Sequence, residues 1–351
     1  MTDIIKIFAP AVLAFAVGIA MTPMLTHYLF HFKVWKKTPG KYALDGTAAT
    51  EFNKLHKENE AHTPRMGGIV IWGSVFVTTL ACWAIAFFFP SSPLAGLDFV
   101  SRSQTWIPFS TLLLGACVGF LNDLYDVQEG KRGIRLRTRL IFVSLLSLAV
   151  GWWFYEKLDV ISIGLPYDGE LVLGALIIPF FMLMTLALYA SGVIDGIDGL
   201  SGGVFASIFT AYSVIAFSQQ QFDLAAFCAT VAGAILAFLW FNIPPARFWM
   251  TETGTMALTL TLAVVVFMSD NLGTGHGIAV LPIIGFPLVA TVLSDVIQII
   301  AKKFWKRKIF RVAPLHHHFE ALGWPGYKVT MRYWVISIIC AIIGMTIAIT
   351  A

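Results

Sequence analysis

Long apolar blocks joined by short polar connections dominate the chain. A helix needs about 20 apolar residues to cross a bilayer. Ten stretches meet or approach that length: 4–29, 67–90, 106–122, 138–155, 171–190, 201–218, 222–242, 253–269, 277–301 and 331–350. Pro282 and Pro287 predict a kink in the ninth. The first block follows an acidic Met1-Thr2-Asp3 start; it is too long and wrongly flanked for a cleaved leader, so it is expected to remain as helix one. The pattern predicts an all-α polytopic membrane protein, with 1–351 forming one transmembrane domain and no separate globular module.

One stretch breaks the pattern. Between the apolar runs 171–190 and 204–217 lies Ile194-Asp195-Gly196-Ile197-Asp198-Gly199-Leu200-Ser201-Gly202-Gly203. Ionisable groups at membrane depth are costly and are kept where they face a polar cavity or do chemistry. The competing reading is a water-exposed turn carrying two ordinary acids.

Charge supplies the orientation. The odd-numbered connections hold seven, five, none, one and eight Lys or Arg residues, whereas the even-numbered ones hold only Arg102 and Lys157. The positive-inside rule then places the odd connections in the cytoplasm and both termini outside. Asp123, Asp195, Asp198, Glu252 and His316-His317-His318 all fall on the cytoplasmic side of this arrangement. Composition agrees with a membrane protein: 58% of residues are hydrophobic and 13% charged, against about 25% charged in soluble domains. Cys82, Cys117, Cys228 and Cys340 lie inside apolar runs without CxxC spacing, so they read as small buried hydrophobes.

Four cytoplasmic segments carry further candidate chemistry. Thr63-Pro64-Arg65-Met66-Gly67-Gly68 sets a turn and allows close backbone approach, or is an ordinary helix entry with packing glycines. Asn122-Asp123 closes an apolar helix and leads through Asp126 and Lys131-Arg132 to Arg135, Arg137 and Arg139. Acids at a helix mouth beside a basic loop suit a diphosphate with a metal ion, although the individual basic residues read equally as a solvated positive-inside loop. Asn242, Trp249 and Glu252 fall within eleven residues; Glu252 opens a helix, where a carboxylate also complements the dipole, and Trp249 could be an interfacial anchor. Three consecutive histidines at 316–318 suit phosphate donors or acid–base groups better than a three-histidine metal site. Carboxylates, glycines and cationic donors together are what Mg²⁺-assisted phosphoryl chemistry requires. Neither a P-loop nor a Rossmann glycine fingerprint is present, and no nucleic-acid partner is expected.

With those motifs in view, the chain resembles the phospho-N-acetylmuramoyl-pentapeptide transferase family along its whole length. The resemblance is carried by Thr63–Gly68, Gly119–Asp123, Asp195–Gly199, Met250–Gly254, the segment Lys308–Glu320 with its three histidines, and Gly323-Trp324-Pro325. It implies about ten membrane helices in a bacterial inner membrane and a homodimer. It also implies Mg²⁺-dependent transfer of phospho-MurNAc-pentapeptide from UDP-MurNAc-pentapeptide to undecaprenyl phosphate, a step of peptidoglycan synthesis. By the same resemblance, Asp123, Asp195, Asp198, His316 and His317 are catalytic, and Glu252 with Asp195 binds metal. Thr63, Arg139, Asn242, Trp249, Gln298 and His318 bind substrate. Several positions depart from the family pattern: Asn122 replaces an acid, Tyr189 and Gly192 replace asparagines, Arg65 a Thr, Asp126 a Lys, Trp249 a Phe, and Glu252 an Asp.

Three other readings were open from sequence. One is a related polyprenyl-phosphate HexNAc-1-phosphate transferase using a UDP-sugar without peptide, against which the triple-histidine segment argues. The second is a catalytically impaired homologue, suggested by Asn122, Tyr189 and Gly192. The third is a transporter, for which neither midplane charges nor internal repeats are found.

Overall fold

The longest apolar blocks become the longest helices. A computed structural model describes residues 3–37, 40, 62–129, 133–166, 169–271 and 275–350. In order the elements are α1 (Asp3–His31), α2 (Gly68–Phe88), α3 (Trp106–Asp126), α4 (Leu136–Lys157), β1 (Ser162–Leu165), β2 (Gly169–Val172), α5 (Ile177–Ser191), α6 (Leu200–Ser218), α7 (Phe222–Asn242), α8 (Thr251–Asn271), α9 (Gly277–Ile284), α10 (Phe286–Phe304), α11 (Leu315–Ala321) and α12 (Gly326–Thr350). Among the described residues, nine helical segments are long and apolar enough to span a membrane, and the bent α9–α10 pair makes a tenth.

Burial sorts these helices into a centre and a rim. The apolar window of α8 is 94% buried and that of α7 83%, whereas that of α1 is 22%. Rim helices turn Phe8, Val12, Val335 and Ile342 outward, as expected where the surroundings are hydrocarbon. Hydroxyls in the middle of α8 are tolerated because they find carbonyls one turn back: Thr259 Oγ1 donates to Thr255 O at 2.7 Å and Thr261 Oγ1 to Ala257 O at 2.7 Å.

The structure differs from the sequence expectation at two elements. The ninth span is two helices meeting at 70°, broken at Gly285 and not at either proline. Pro287 lies in the first turn of α10, where a missing N–H costs no helix bond. The start of the fifth block, expected as helix from 171, is instead strand β2, paired antiparallel with β1. Asp270, at the end of α8, accepts from Gly164 N at 3.0 Å and Ile278 N at 3.1 Å, tying this hairpin to α8 and α9. Two cysteines also differ: Cys117 is exposed and Cys340 half-buried, while Cys82 and Cys228 are buried.

Candidate active site

The first turn of α8 organises the polar end of the bundle. Residues 64–68 lie along residues 249–251: Trp249 N donates to Pro64 O (2.9 Å), Gly67 N to Trp249 O (2.7 Å), Gly68 N to Met250 O (3.2 Å) and Met66 N to Thr251 Oγ1 (3.1 Å). Two motifs 185 positions apart are thereby joined by backbone bonds. Half-buried Thr63 stands at the start of this segment.

Asp123 lies underneath. Its carboxylate is fully buried, and Oδ2 accepts from Thr251 Oγ1 (2.5 Å), Thr253 Oγ1 (2.6 Å) and Thr253 N (2.8 Å). A carboxylate receiving a helix's first free N–H groups is an N-terminal cap that also complements the dipole. Asn122 donates to Asp123 Oδ1 at 3.3 Å and accepts from Ile134 N at 2.9 Å, so it links this cap to the following loop. Arg65 completes the shell, with Nη2 3.3 Å from Asp126 Oδ2 and 3.7 Å from Asp123 Oδ1.

Asp195 approaches the same turn from the other side. Its Oδ2 accepts from Thr251 N (2.8 Å) and its Oδ1 from Ser201 Oγ (2.7 Å). Glu252, the next residue of α8, is part-exposed and ion-paired with Arg139. Asp123, Asp195 and Glu252 are thus gathered about one helix start, two of them through bonds to Thr251 itself.

Asp198 has a different set of partners. It accepts from Trp249 Nε1 and Ala246 N, both at 3.0 Å. The indole N–H, absent from the Phe expected here, fixes the Asp198 side chain and the ring together. Gly199 adopts φ +75°, a left-handed conformation that favours glycine, immediately before α6. Its N–H donates to Asn242 Oδ1 (2.9 Å), its carbonyl accepts from Trp334 Nε1 (3.0 Å), and Thr330 Oγ1 donates to Asp198 O (3.0 Å).

The histidines divide. His316 and His317 are buried with ring centroids 4.3 Å apart. Both Nε2 atoms lie against Gly196, where a Cβ would overlap His316 Nε2 and come within 2.7 Å of His317 Nε2. The first turn of α11 thus brings two adjacent imidazoles to one glycine. Glu320 Oε2 holds His317 Nδ1 at 2.7 Å, which leaves Nε2 as the nitrogen facing the Asp195–Gly199 loop. His318 points elsewhere: its Nδ1 accepts from Arg311 N at 3.1 Å. Burial, reinforced by the Arg311 charge, lowers the His318 pKa from the ordinary histidine value.

Two residues expected to bind substrate serve as backbone latches. Gln298 accepts from Ile309 N (3.0 Å) and Phe310 N (3.1 Å) and donates to Phe310 O (2.8 Å). Asn242 donates to Phe248 O (2.8 Å) as well as accepting from Gly199. Sequence reasoning did not single out Thr251, Thr253, Ser201 or Glu320, which hold the acids and the histidine in place; a hydroxyl run at a helix start is the signal for the two threonines. Lys131 and Arg132 lie outside the described residues.

No group of three or more His, Cys, Asp or Glu poised around an ion occurs among the described residues. Mg²⁺ does not require such a cage, since one or two carboxylates with phosphate oxygens suffice. Asp195, bonded to Thr251 N, and Glu252, the next residue of α8, are hard oxygen donors of the kind that demand calls for.

Carboxylates, imidazoles and arginines gather at one end of an all-α membrane bundle, and the Glycosyl transferase family 4 model matches residues 105–270, which with the relatives below makes this a phospho-sugar transferase. The relatives narrow the assignment. A phospho-N-acetylmuramoyl-pentapeptide-transferase of Geobacillus sp. (strain WCH70) is 31% identical over 96% of each chain. Those of Geobacillus thermodenitrificans (strain NG80-2) and Bacillus mycoides (strain KBAB4) are each 31% identical, over 99% and 96% of each chain. The chain belongs to the phospho-N-acetylmuramoyl-pentapeptide-transferase family.

Proposed function

We propose that this protein transfers phospho-MurNAc-pentapeptide from UDP-MurNAc-pentapeptide to undecaprenyl phosphate, with Mg²⁺, as a homodimer in the bacterial cytoplasmic membrane. The carrying observation is the meeting of Asp195, Glu252 and both Gly196-facing imidazoles at one end of a membrane-spanning bundle. In the overall reaction an oxygen of the lipid phosphate becomes bonded to the sugar-proximal phosphorus. The bridging P–O bond breaks, and UMP leaves with its electron pair.

Asp195 and Glu252 are the residues that would hold Mg²⁺. When bound, the ion supplies charge neutralisation on the diphosphate. Arg139, ion-paired with Glu252, is placed to turn to a phosphate oxygen once Glu252 is engaged. His316 and His317 donate to the departing or attacking phosphate through Nε2, and Glu320 keeps the His317 ring oriented. Asp123 acts from below by fixing the first turn of α8. Trp249 offers a ring face to the nucleobase, steadied by Asp198. Thr63, Asn242, Gln298 and His318 shape the surrounding loops.

The decisive assay measures UMP release by purified protein with undecaprenyl phosphate and Mg²⁺, comparing UDP-MurNAc-pentapeptide with UDP-GlcNAc. Turnover with the peptide substrate alone is expected. Turnover with UDP-GlcNAc alone would move the protein to the HexNAc-1-phosphate branch, and silence with both would make it an inactive homologue.

A further inference from the structure

A recess of about 360 Å³ opens beside α1 and is lined by Pro23, Thr26, His27, Phe30, His31 and Arg247. None of these residues belongs to the machinery described above. We infer that this recess binds the phosphate headgroup of an anionic bilayer lipid.

The lining is selective for an anion. It holds one guanidinium and two imidazoles and no carboxylate. His27 and His31, one turn apart, stack with centroids 6.1 Å apart and planes inclined by 14°, so both imidazoles line the same side of the recess. The Arg247 guanidinium lies over the Phe241 ring at 5.9 Å, which holds an otherwise exposed cation in place. The hydroxyl of Thr26, another lining residue, is closed to solvent and hydrogen-bonded to nothing among the described residues. One turn earlier, Thr22 Oγ1 satisfies itself on Gly18 O at 2.6 Å. The guanidinium and the two imidazoles supply donors for a phosphate, and a recess of this volume falls at the small end of the ~300–1,000 Å³ typical of ligand sites.

The surroundings identify a lipid as the source of that phosphate. Directly after α1 come Lys33, Trp35, Lys36 and Lys37, with Lys37 Nζ 5.3 Å from the Trp35 ring. Along the same stretch of chain, Met24, Tyr28, Phe30 and Phe32 are exposed. Apolar surface passing into a basic, tryptophan-bearing segment marks the bilayer boundary, where cationic clusters hold anionic headgroups. The recess is also tied to the candidate active site. Arg247 follows Ala246, whose N–H donates to Asp198, and precedes Trp249, which donates to the same carboxylate. An occupied recess therefore steadies the loop that positions Asp198.

Lipid retention by purified protein in neutral detergent, followed by native mass spectrometry, tests the assignment without relying on turnover. The probes are phosphatidylglycerol, phosphatidylcholine and inorganic phosphate. Phosphatidylglycerol is expected to be retained in preference to phosphatidylcholine. Arg247→Gln should weaken it about fivefold, His27→Gln/His31→Gln should weaken it as well, and Arg247→Lys should retain most of it. Arg102→Gln, far from the recess in sequence and on the opposite connections, serves as the unaffected control. Equal retention of the two lipids, or unchanged phosphatidylglycerol retention in the Arg247→Gln and double-histidine variants, overturns the proposal. Displacement of the lipid by inorganic phosphate at matching concentration would assign a free-anion site and overturn the lipid source.

Discussion

At the scale of single residues, the acids at the start of α8 separate by their surroundings. Asp123 is enclosed, with three donors on one oxygen, whereas Asp195 and Glu252 are part-exposed beside the imidazoles. Asp195→Asn should therefore lower kcat and raise the Mg²⁺ concentration needed for half-maximal turnover, with little change in Tm, since an amide oxygen still accepts the Thr251 N–H. Asp123→Ala should instead destabilise the fold by about 1–3 kcal/mol, by leaving buried donors unpaired; thermal unfolding beside kinetics separates the two outcomes. An Asp123→Ala protein as stable as wild type would show that the cap is dispensable. Gly196→Ala is expected to abolish turnover while the protein still inserts, because the new methyl would displace both imidazoles. The two aspartates of the glycine-rich stretch were legible as a unit from spacing alone. Asp123's enclosure was not, because its donors Thr251 and Thr253 lie 128 and 130 positions away.

At the scale of elements, two departures from the family pattern explain each other. Arg65, where the resemblance leads one to expect Thr, pairs with Asp126, where it leads one to expect Lys. Relative to that pattern the positive group stands at 65 instead of 126, and it lies beside Asp123. Arg65→Thr and Asp126→Lys should each reduce stability and activity, and the double substitution should recover part of both. A double-mutant cycle with zero coupling would dissolve the pairing. The α10–α11 loop behaves similarly as a latched unit, with Gln298 on one side and His318 on the other. A histidine whose folded pKa is lowered favours the neutral form, so its contribution is present above the unfolded value of about 6.5 and is withdrawn as pH falls below it. Protonated Nδ1 no longer accepts from Arg311, and amide exchange at Arg311 should lose protection between neutral and mildly acidic pH. Unchanged protection would contradict this role for His318. Helices were readable from apolar length, but the break at Gly285 was not. Prolines attract attention as kink sites, yet Pro287 is accommodated in a first turn, and nothing local distinguishes Gly285 from a packing glycine.

At the scale of the whole molecule, the two ends of the bundle are chemically distinct. One end carries the interlocked loops 62–67, 192–199, 243–250 and 305–325. At the other, Lys6 pairs with Asp223 at 2.5 Å, Gln104 Oε1 accepts from Leu224 N at 3.2 Å, and Asp270 holds the β1–β2 hairpin. Asp98 lies near the Lys6–Asp223 pair, and burial raises its carboxyl pKa. Most Lys and Arg residues lie on the connections of the first end, which by the positive-inside rule is expected to face the cytoplasm, the side from which the proposed function would draw its nucleotide substrate. Single cysteines in a background with Cys117 and Cys340 replaced give a direct measure. A cysteine at Asp159, next to the hairpin, should react with a membrane-impermeant maleimide on intact spheroplasts. One at Lys306, on the opposite end, should react only after permeabilisation. The reverse pattern would put the carboxylate–histidine end outside the cell, away from its nucleotide substrate, and would force the transferase reading to be abandoned even with every distance in the site unchanged.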